Sequence, residues 1–384
     1  MASSPLPGLA PGIHSRTLRI NDLDMHLLEA APPGNPDAPL VVLLHGFPEL
    51  AYSWRKVIPR LVEAGYHVVA PDQRGYGRTQ VVDSEGAVGY EDDLNPWRTT
   101  NLVKDIVTLV HTLGFTSVSA VVGHDSGSPI AGWCALIRPD VFKSVVMMSA
   151  PFTGPPAPKI PAPPPALDMP KAIGGLPTLS PPRKHYMLYY CTPTANADML
   201  TAPEGLHAFF RAYYHVKSAD WLPNGEPHPL EMSAAGLGEL PRYYVMLKDE
   251  TMPQAVISDA PSADEVATNE WLTESELGVY VSEYGRTGFQ GGLNFYRTFF
   301  FNPAWGSDRE LFAGKQIEVP ALFISGKQDW GTFQFPGAVD VMKNKACKNM
   351  EDIVLIEGAG HWVQQEQSDK VVEQLLAFFR RHGN

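Results

Sequence analysis

Residues 117–129 read Ser117-Val118-Ser119-Ala120-Val121-Val122-Gly123-His124-Asp125-Ser126-Gly127-Ser128-Pro129. A short apolar run leads in, and a helical pattern from Pro129 to Ile137 leads out. The centre matches Gly-x-nucleophile-x-Gly, a sharp strand-to-helix turn that lifts one strained side chain above a sheet. Register identifies that side chain. Centred on Ser126, the flanking positions would be His124 and Ser128, and neither glycine would fit. Centred on Asp125, both glycines fall where the close packing of the turn requires them. Aspartate is also a favoured helix N-cap, but a cap needs neither the preceding strand nor the paired glycines. The stretch therefore predicts a carboxylate nucleophile. In water a carboxylate is a poor acyl-transfer nucleophile, yet it can displace a leaving group from saturated carbon and form an alkyl ester. The free N–H groups and positive dipole end of the following helix should keep Asp125 ionised.

On either side of this turn the chain alternates strand and helix patterns. Arg16 to Ile20 and Met25 to Ala30 predict a hairpin about Asn21-Asp22, and Leu40 to Leu44 is the continuous apolar run of a strand buried on both faces. An amphipathic stretch, Trp54 to Ala64, a strand at His67 to Ala70, a helix at Leu102 to Leu113 and a strand at Ser144 to Met148 follow. Such alternation predicts an α/β fold with a mostly parallel sheet and helices on both faces. The pattern breaks at Pro151 to Pro182, too rich in proline and glycine for a continuous helix or a central strand. An aromatic-rich, helical region runs on to about Trp305. The alternation then resumes with a strand at Ala321 to Ser325, a helix near Ala338 to Lys345, a strand at Ile353 to Ile356 and a helix at Lys370 to Arg380. The expected organisation is a core of residues 1–152 and 306–384 interrupted by a mainly helical cap, 153–305.

Composition narrows the function classes. The 384 residues are 44% hydrophobic and 19% charged, a globular balance, and the formal net charge of −12 with no Lys/Arg-rich run argues against nucleic acid. Cys134, Cys191 and Cys347 are far apart and odd in number, which predicts neither a disulfide framework nor a metal site. Met1 to Ile13 lacks a basic start followed by an apolar run. Nothing approaches the roughly 20 apolar residues of a membrane span. A soluble, cytoplasmic protein is expected.

A nucleophile placed first in the chain predicts an acid and then a histidine, each on a loop after a later strand. Gly326-Lys327-Gln328-Asp329 follows the strand at Ala321, and Gly358-Ala359-Gly360-His361 follows the strand at Ile353. Asp329 and His361 are therefore the expected orienting acid and base. His45-Gly46-Phe47-Pro48 follows the Leu40 strand, where such folds supply an oxyanion donor, so the backbone N–H groups of Phe47 and Ser126 are assigned to that hole. Asp72-Gln73-Arg74-Gly75-Tyr76-Gly77 is expected to be a structural loop near the site.

Together the Gly-His-Asp-x-Gly elbow, His-Gly-Phe-Pro, Asp-x-Arg-Gly-Tyr-Gly and the late Gly-His-Trp resemble the epoxide hydrolase family of α/β-hydrolases, over nearly the whole chain. In the insertion, Gly288-Phe289-Gln290-Gly291-Gly292-Leu293-Asn294-Phe295-Tyr296-Arg297 resembles the family's second cap-tyrosine motif, and His185-Tyr186-Met187-Leu188-Tyr189-Tyr190 the first. The resemblance implies the α/β-hydrolase fold and paired phenols at Tyr186 and Tyr296 that hold an epoxide oxygen, with Tyr189 an alternative to Tyr186. It also implies Pro48, Met187, Tyr189, Trp330 and Trp362 around a largely apolar substrate, water as co-substrate, and no cofactor or metal. The chemistry fits such a pair. Opening an epoxide generates an alkoxide, and a phenol with a pKa of about 10 can protonate it while staying protonated itself near neutrality.

Three departures from the family pattern stand out. Ser126 replaces a common Trp, Met187 stands where many relatives have Gln, and 231–267 lengthens the cap. Two rival readings follow from the same residues. A dehalogenase uses the same Asp–His–acid set, though Ser126 lacks the indole N–H that would bind halide. A non-catalytic ligand-binding protein could keep the fold, but it need not retain every member of the set. Substrate identity, regiochemistry and oligomeric state are left open.

Overall fold

A run buried on both faces has no polar side to show solvent, so it must lie inside a covered sheet. Leu40 to Leu44 does so. It forms β3 (Leu40–Leu44), buried at every residue, near the middle of a nine-stranded sheet. The computed structural model describes residues 6–83, 86–157, 169–299 and 303–382. Its other sheet strands are β1 (His14–Ile20), β2 (Leu23–Ala30), β4 (His67–Pro71), β5 (Gln80–Val81), β6 (Ala120–His124), β7 (Val145–Met148), β10 (Ala321–Gly326) and β11 (Met350–Ile356). The order is β1-β2-β4-β3-β6-β7-β10-β11, with β5 on β2. From β4 to β11 every pairing is parallel; β1, β2 and β5 add an antiparallel edge. The hairpin turns at Asn21, whose φ of 53° suits asparagine better than most side chains.

Alternation along each strand divides the core into two layers. Val42, Leu44, Val121, Val145, Met147 and Phe323 pack on one face with Trp133 and Leu136. Val41, Leu43, Ala120, Val122, Val146 and Ile324 face the other way, toward Trp54, Leu375 and Phe378. The helices covering these faces include Thr99–Thr112, Gly127–Ile137 and Ser368–His382. Because the strands are parallel, the loops after β3, β6, β7, β10 and β11 emerge along one edge, where open α/β sheets place their sites. This is the α/β-hydrolase arrangement expected from the sequence.

Between β7 and β10 the chain leaves the sheet. Within Pro151 to Pro182 the described residues hold only the short helix Met169–Gly175 and one 3-10 turn, Leu176–Thr178; residues 158–168 lie outside the described part. Helices Tyr186–Tyr190, Leu206–Lys217, Glu274–Thr287 and Gln290–Phe299 follow, with a small hairpin of β8 (Arg183–His185) and β9 (Val245–Leu247). The unusual segment 231–267 supplies β9 and the helices Ala234–Leu237, Met252–Ile257 and Ala263–Thr268. Capping boxes open the last two of these helices. The Tyr186 amide donates to the Tyr244 carbonyl at 2.8 Å, so this extension sets where the helix carrying Tyr186 begins.

Insertion and core meet backbone to backbone. A Cβ on Gly291 would lie 1.9 Å from the Gly75 carbonyl oxygen, so the cap motif and the Asp72–Gly77 loop need their glycines for close approach. That loop is held as a scaffold. Asp72 accepts from the Ala51 amide at 2.8 Å and the Arg78 amide at 3.0 Å, and Arg74 bonds both Asp22 and Asp105. The elbow is tighter still. A Cβ on Gly127 would stand 2.5 Å from the carbonyl oxygens of both Leu44 and His45. Gly127→Ala should therefore destabilise the fold by roughly 2 kcal/mol or more, read as a lower urea midpoint; an unchanged midpoint would show that this contact is not limiting.

Candidate active site

Asp125 is the turn residue between β6 and the helix Gly127–Ile137. Its φ of 49° is left-handed, which costs a Cβ-bearing residue about 1–2 kcal/mol. The turn is held from both sides, since the Asp125 amide donates to Met148 O at 3.0 Å and the Ser128 amide donates to Asp125 O at 3.0 Å. Gly123 and Gly46 make room, because a Cβ on Gly123 would meet Gly127 O at 2.1 Å and one on Gly46 would meet Asp125 Cβ at 2.4 Å. The strain lifts the carboxylate into the space above the sheet. There the Phe47 amide donates to Oδ1 at 2.9 Å, and His361 Nε2 lies 3.2 Å from Oδ2. Burial alone would raise the pKa of Asp125, but the His361 hydrogen bond and the charges of His361 and Lys217 outweigh it and hold the group far below the usual carboxylate range. Ser126 stands at the helix N-cap; among the described residues its amide does not bond the resting carboxylate.

His361 follows β11, and Asp329 follows β10. Its Nδ1 lies 3.1 Å from Asp329 Oδ1 and 3.2 Å from Oδ2. Asp329 is aimed by the Gly331 amide at 2.7 Å and the Ser325 hydroxyl at 3.1 Å, and Thr332 donates in turn to Ser325. Burial opposes its charge, yet His361, the Gly331 amide and the Ser149 hydroxyl hold its pKa below the ordinary value. For His361 the largest influence is burial, which together with the Lys217 charge favours the neutral ring; Asp329 and Asp125 overcome both and leave the pKa raised above 6.5. The histidine's backbone is fixed as well. Its N–H donates to Lys217 O at 2.8 Å, and its carbonyl accepts from His124 Nε2 at 2.7 Å and Ser149 Oγ at 3.1 Å. Behind His124, Glu49 Oε2 sits 2.6 Å from Nδ1.

Tyr186 and Tyr296 come together, their ring centroids 6.1 Å apart, and Phe47 and Tyr190 pack edge-on to Tyr296. Both phenols are buried. Desolvation and the nearby Asp125 charge push their pKa values well up, so each keeps its proton at neutral pH. Tyr186 opens the helix Tyr186–Tyr190, capped by His185 Nδ1, which accepts from the Met187 amide at 3.4 Å. Its hydroxyl donates to Gln334 Oε1 at 3.2 Å. Tyr189 is turned elsewhere, with its hydroxyl bonded to Asp198 at 3.0 Å. Pro48 and Met187 are buried in the same region, and the Pro48 carbonyl accepts from Tyr214. Trp330 and Trp362 direct their N–H groups to cap carbonyls, Asn224 O and Tyr214 O, each at 2.8 Å. They latch the core loops to the insertion, and Trp362 packs beside the His361 ring at 4.7 Å. Sequence reasoning missed Gln334, Lys217, and His124 with Glu49. The elbow motif displayed His124, but no local pattern marked the others.

No group of three His, Cys, Asp or Glu side chains among the described residues is placed to hold a metal, and no described helix is long and apolar enough to cross a membrane. Fold and site together define an α/β-hydrolase with an aspartate at its nucleophile elbow. A family model described as "alpha/beta hydrolase fold" matches residues 39–177. Epoxide hydrolase A of Mycobacterium tuberculosis is 32% identical, over 94% of this chain and 97% of that protein. Epoxide hydrolase 3 of Siraitia grosvenorii is 29% identical, over 95% and 98%. Among solved structures, an epoxide hydrolase from an endophytic Streptomyces superposes with a TM-score of 0.75 at 29% identity, covering 97% of this chain and 96% of that one. Epoxide hydrolase A from Mycobacterium thermoresistibile gives 0.71 at 32% identity, covering 96% and 98%. The chain belongs to the epoxide hydrolase family of the α/β-hydrolase superfamily.

The two carboxylates flanking His361 set a testable proton affinity. In the free protein the imidazole should titrate with a midpoint above 6.5, followed by NMR of the ring. Asp125→Asn removes one of the anions that raise it, so the midpoint should fall. A midpoint that stays put would show that Asp125 does not act on the ring.

Proposed function

We propose that this chain hydrolyses an epoxide to a vicinal diol in two steps through an ester on Asp125. A core of residues 1–152 and 306–384 carries the nucleophile, base and acid, and a cap of 153–305 carries the phenols. The observation that carries the reading is a buried carboxylate with His361 Nε2 3.2 Å away, beneath two buried phenols that keep their protons. In the first step an Asp125 oxygen attacks one epoxide carbon. The C–O bond breaks, and Tyr186 and Tyr296 stabilise the departing oxygen, one phenol giving it a proton. In the second step His361, oriented by Asp329, takes a proton from water as it attacks the ester carbonyl of Asp125. The Phe47 and Ser126 amides hold the resulting oxyanion. On collapse the histidinium proton passes to the departing alkoxide oxygen and completes the diol, and the proton left on the Asp125 carboxyl returns to the phenolate, restoring the carboxylate.

The Phe47 amide already bonds the oxygen that would carry this negative charge, so the donor is in place before reaction. The buried rings of Phe47 and Tyr190 against Tyr296, with Met187 beside Tyr186 in sequence, suit a largely apolar substrate. Displacing halide by the same nucleophile would call for N–H donors at the leaving group. The indole groups of Trp330 and Trp362 are bonded to carbonyls instead, which favours the epoxide. The three cysteines are free, in accord with a reducing, cytoplasmic setting.

His361→Gln removes the base and should trap the ester. Intact-protein mass spectrometry after incubation with styrene oxide should show an adduct equal to the whole epoxide, mapped to Asp125; an adduct elsewhere, or none on folded protein, would overturn the reading. Asp125→Asn should lose nearly all turnover. Tyr296→Phe should slow ring opening by roughly 10- to 100-fold, with a smaller effect on hydrolysis of the preformed ester, as resolved by rapid quenching.

A further inference from the structure

Lys217 ends the cap helix Leu206–Lys217, and the residue is only 3% exposed. Lysine is almost never this buried without an anionic partner. Here Nζ stands over aromatic rings, 4.8 Å from the centroid of Tyr244, 5.1 Å from Tyr213, 5.5 Å from Trp362 and 5.8 Å from Tyr243. Nζ donates a hydrogen bond to the Tyr213 hydroxyl at 3.4 Å. Among the described residues no carboxylate forms an ion pair with it. Ring faces and the negative end of its own helix return part of the lost hydration, but a full carboxylate partner is missing. The cage abuts the reacting groups. Trp362, which forms one wall, lies beside the His361 ring, and the Lys217 carbonyl accepts the His361 N–H at 2.8 Å.

The charges around His361 explain what a cation can do there. Asp125 faces Nε2 and Asp329 faces Nδ1. The His124 ring lies 5.1 Å away with Glu49 behind it, and Glu366 accepts the amides of Gly360 and Trp362 on either side. The neighbouring phenols are Tyr186, Tyr213, Tyr244 and Tyr296. Two carboxylates in direct contact favour the imidazolium, whereas the ester-hydrolysis step requires a ring free to accept a proton. From the cap side the charged group is Lys217. We propose that Lys217 is a positioning residue for the second step, its caged ammonium offsetting the triad carboxylates so that His361 serves as a neutral base. The same charge steadies Asp125 as an anion. Because this cation and the hydrogen bond to His361 N come from one cap segment, the histidine is a competent base only with the cap seated on the core.

This inference rests on the two-step reading above. The test is the pH dependence of ester hydrolysis in single turnovers with styrene oxide, read separately from ring opening, in Lys217→Met, Lys217→Gln and Lys217→Arg. The two neutral variants should move the acidic limb up by about one pH unit, making hydrolysis about tenfold slower below it. Lys217→Arg should restore the limb, and ring opening should change less. An unmoved limb in folded neutral variants overturns the proposal. So does a result in which both neutral variants unfold while Lys217→Arg folds, since the charge would then be structural. If wild-type protein forms no ester on Asp125, the functional reading fails instead, and that outcome is distinct.

Discussion

Asp125 occupies a backbone conformation that its own Cβ resists, and much of the site follows from holding it there. A left-handed residue directly after a buried strand points its side chain away from the sheet and into the loop layer. The neighbours that permit it have no side chains at Gly46, Gly123 and Gly127, where any added carbon would meet backbone or the Asp125 side chain within 3 Å. The carbonyl of Met148 and the packing of the following helix keep the turn from relaxing. One strained residue thus aligns a carboxylate with the Phe47 amide and the start of a helix, and these are the groups that stabilise negative charge.

Burial then makes each charge consequential. In a dry site an anion or cation a few ångströms away shifts protonation far more than it would at the surface. Asp125 stays ionised despite its burial because His361 and Lys217 are close. Tyr186 and Tyr296 stay protonated because burial and the same carboxylate oppose their ionisation. The Asp125 carboxylate and the two phenols hold opposite protonation states for related reasons.

The insertion is part of this electrostatic unit as well as a cover. Lys217 O, Asn224 O and Tyr214 O each accept from a group on the core loops that carry Asp329 and His361. Gly291 packs directly on Gly75, and the 231–267 segment contributes the strand that sets the start of the Tyr186 helix. A displacement of the cap would therefore disturb the phenols and the histidine together.

Periodic and local patterns were legible in the sequence alone. The buried run at Leu40, the hairpin about Asn21 and the two-glycine register around Asp125 depend on neighbours within a few residues, as does the placing of Asp329 and His361 on loops after late strands. Resemblance to a family picked Tyr186 and Tyr296 from fourteen tyrosines. What only tertiary structure decided is where side chains distant in sequence meet. Tyr186 and Tyr189 share one short helix, yet one hydroxyl bonds Gln334 and the other Asp198. Trp330 and Trp362 read as substrate-lining residues, but cap carbonyls claim their N–H groups. Lys217 reads as an ordinary helix-ending lysine until the fold closes aromatic rings around it. A sequence displays periodicity because local geometry repeats every two or 3.6 residues; it carries no such signal for a contact made by folding one segment onto another.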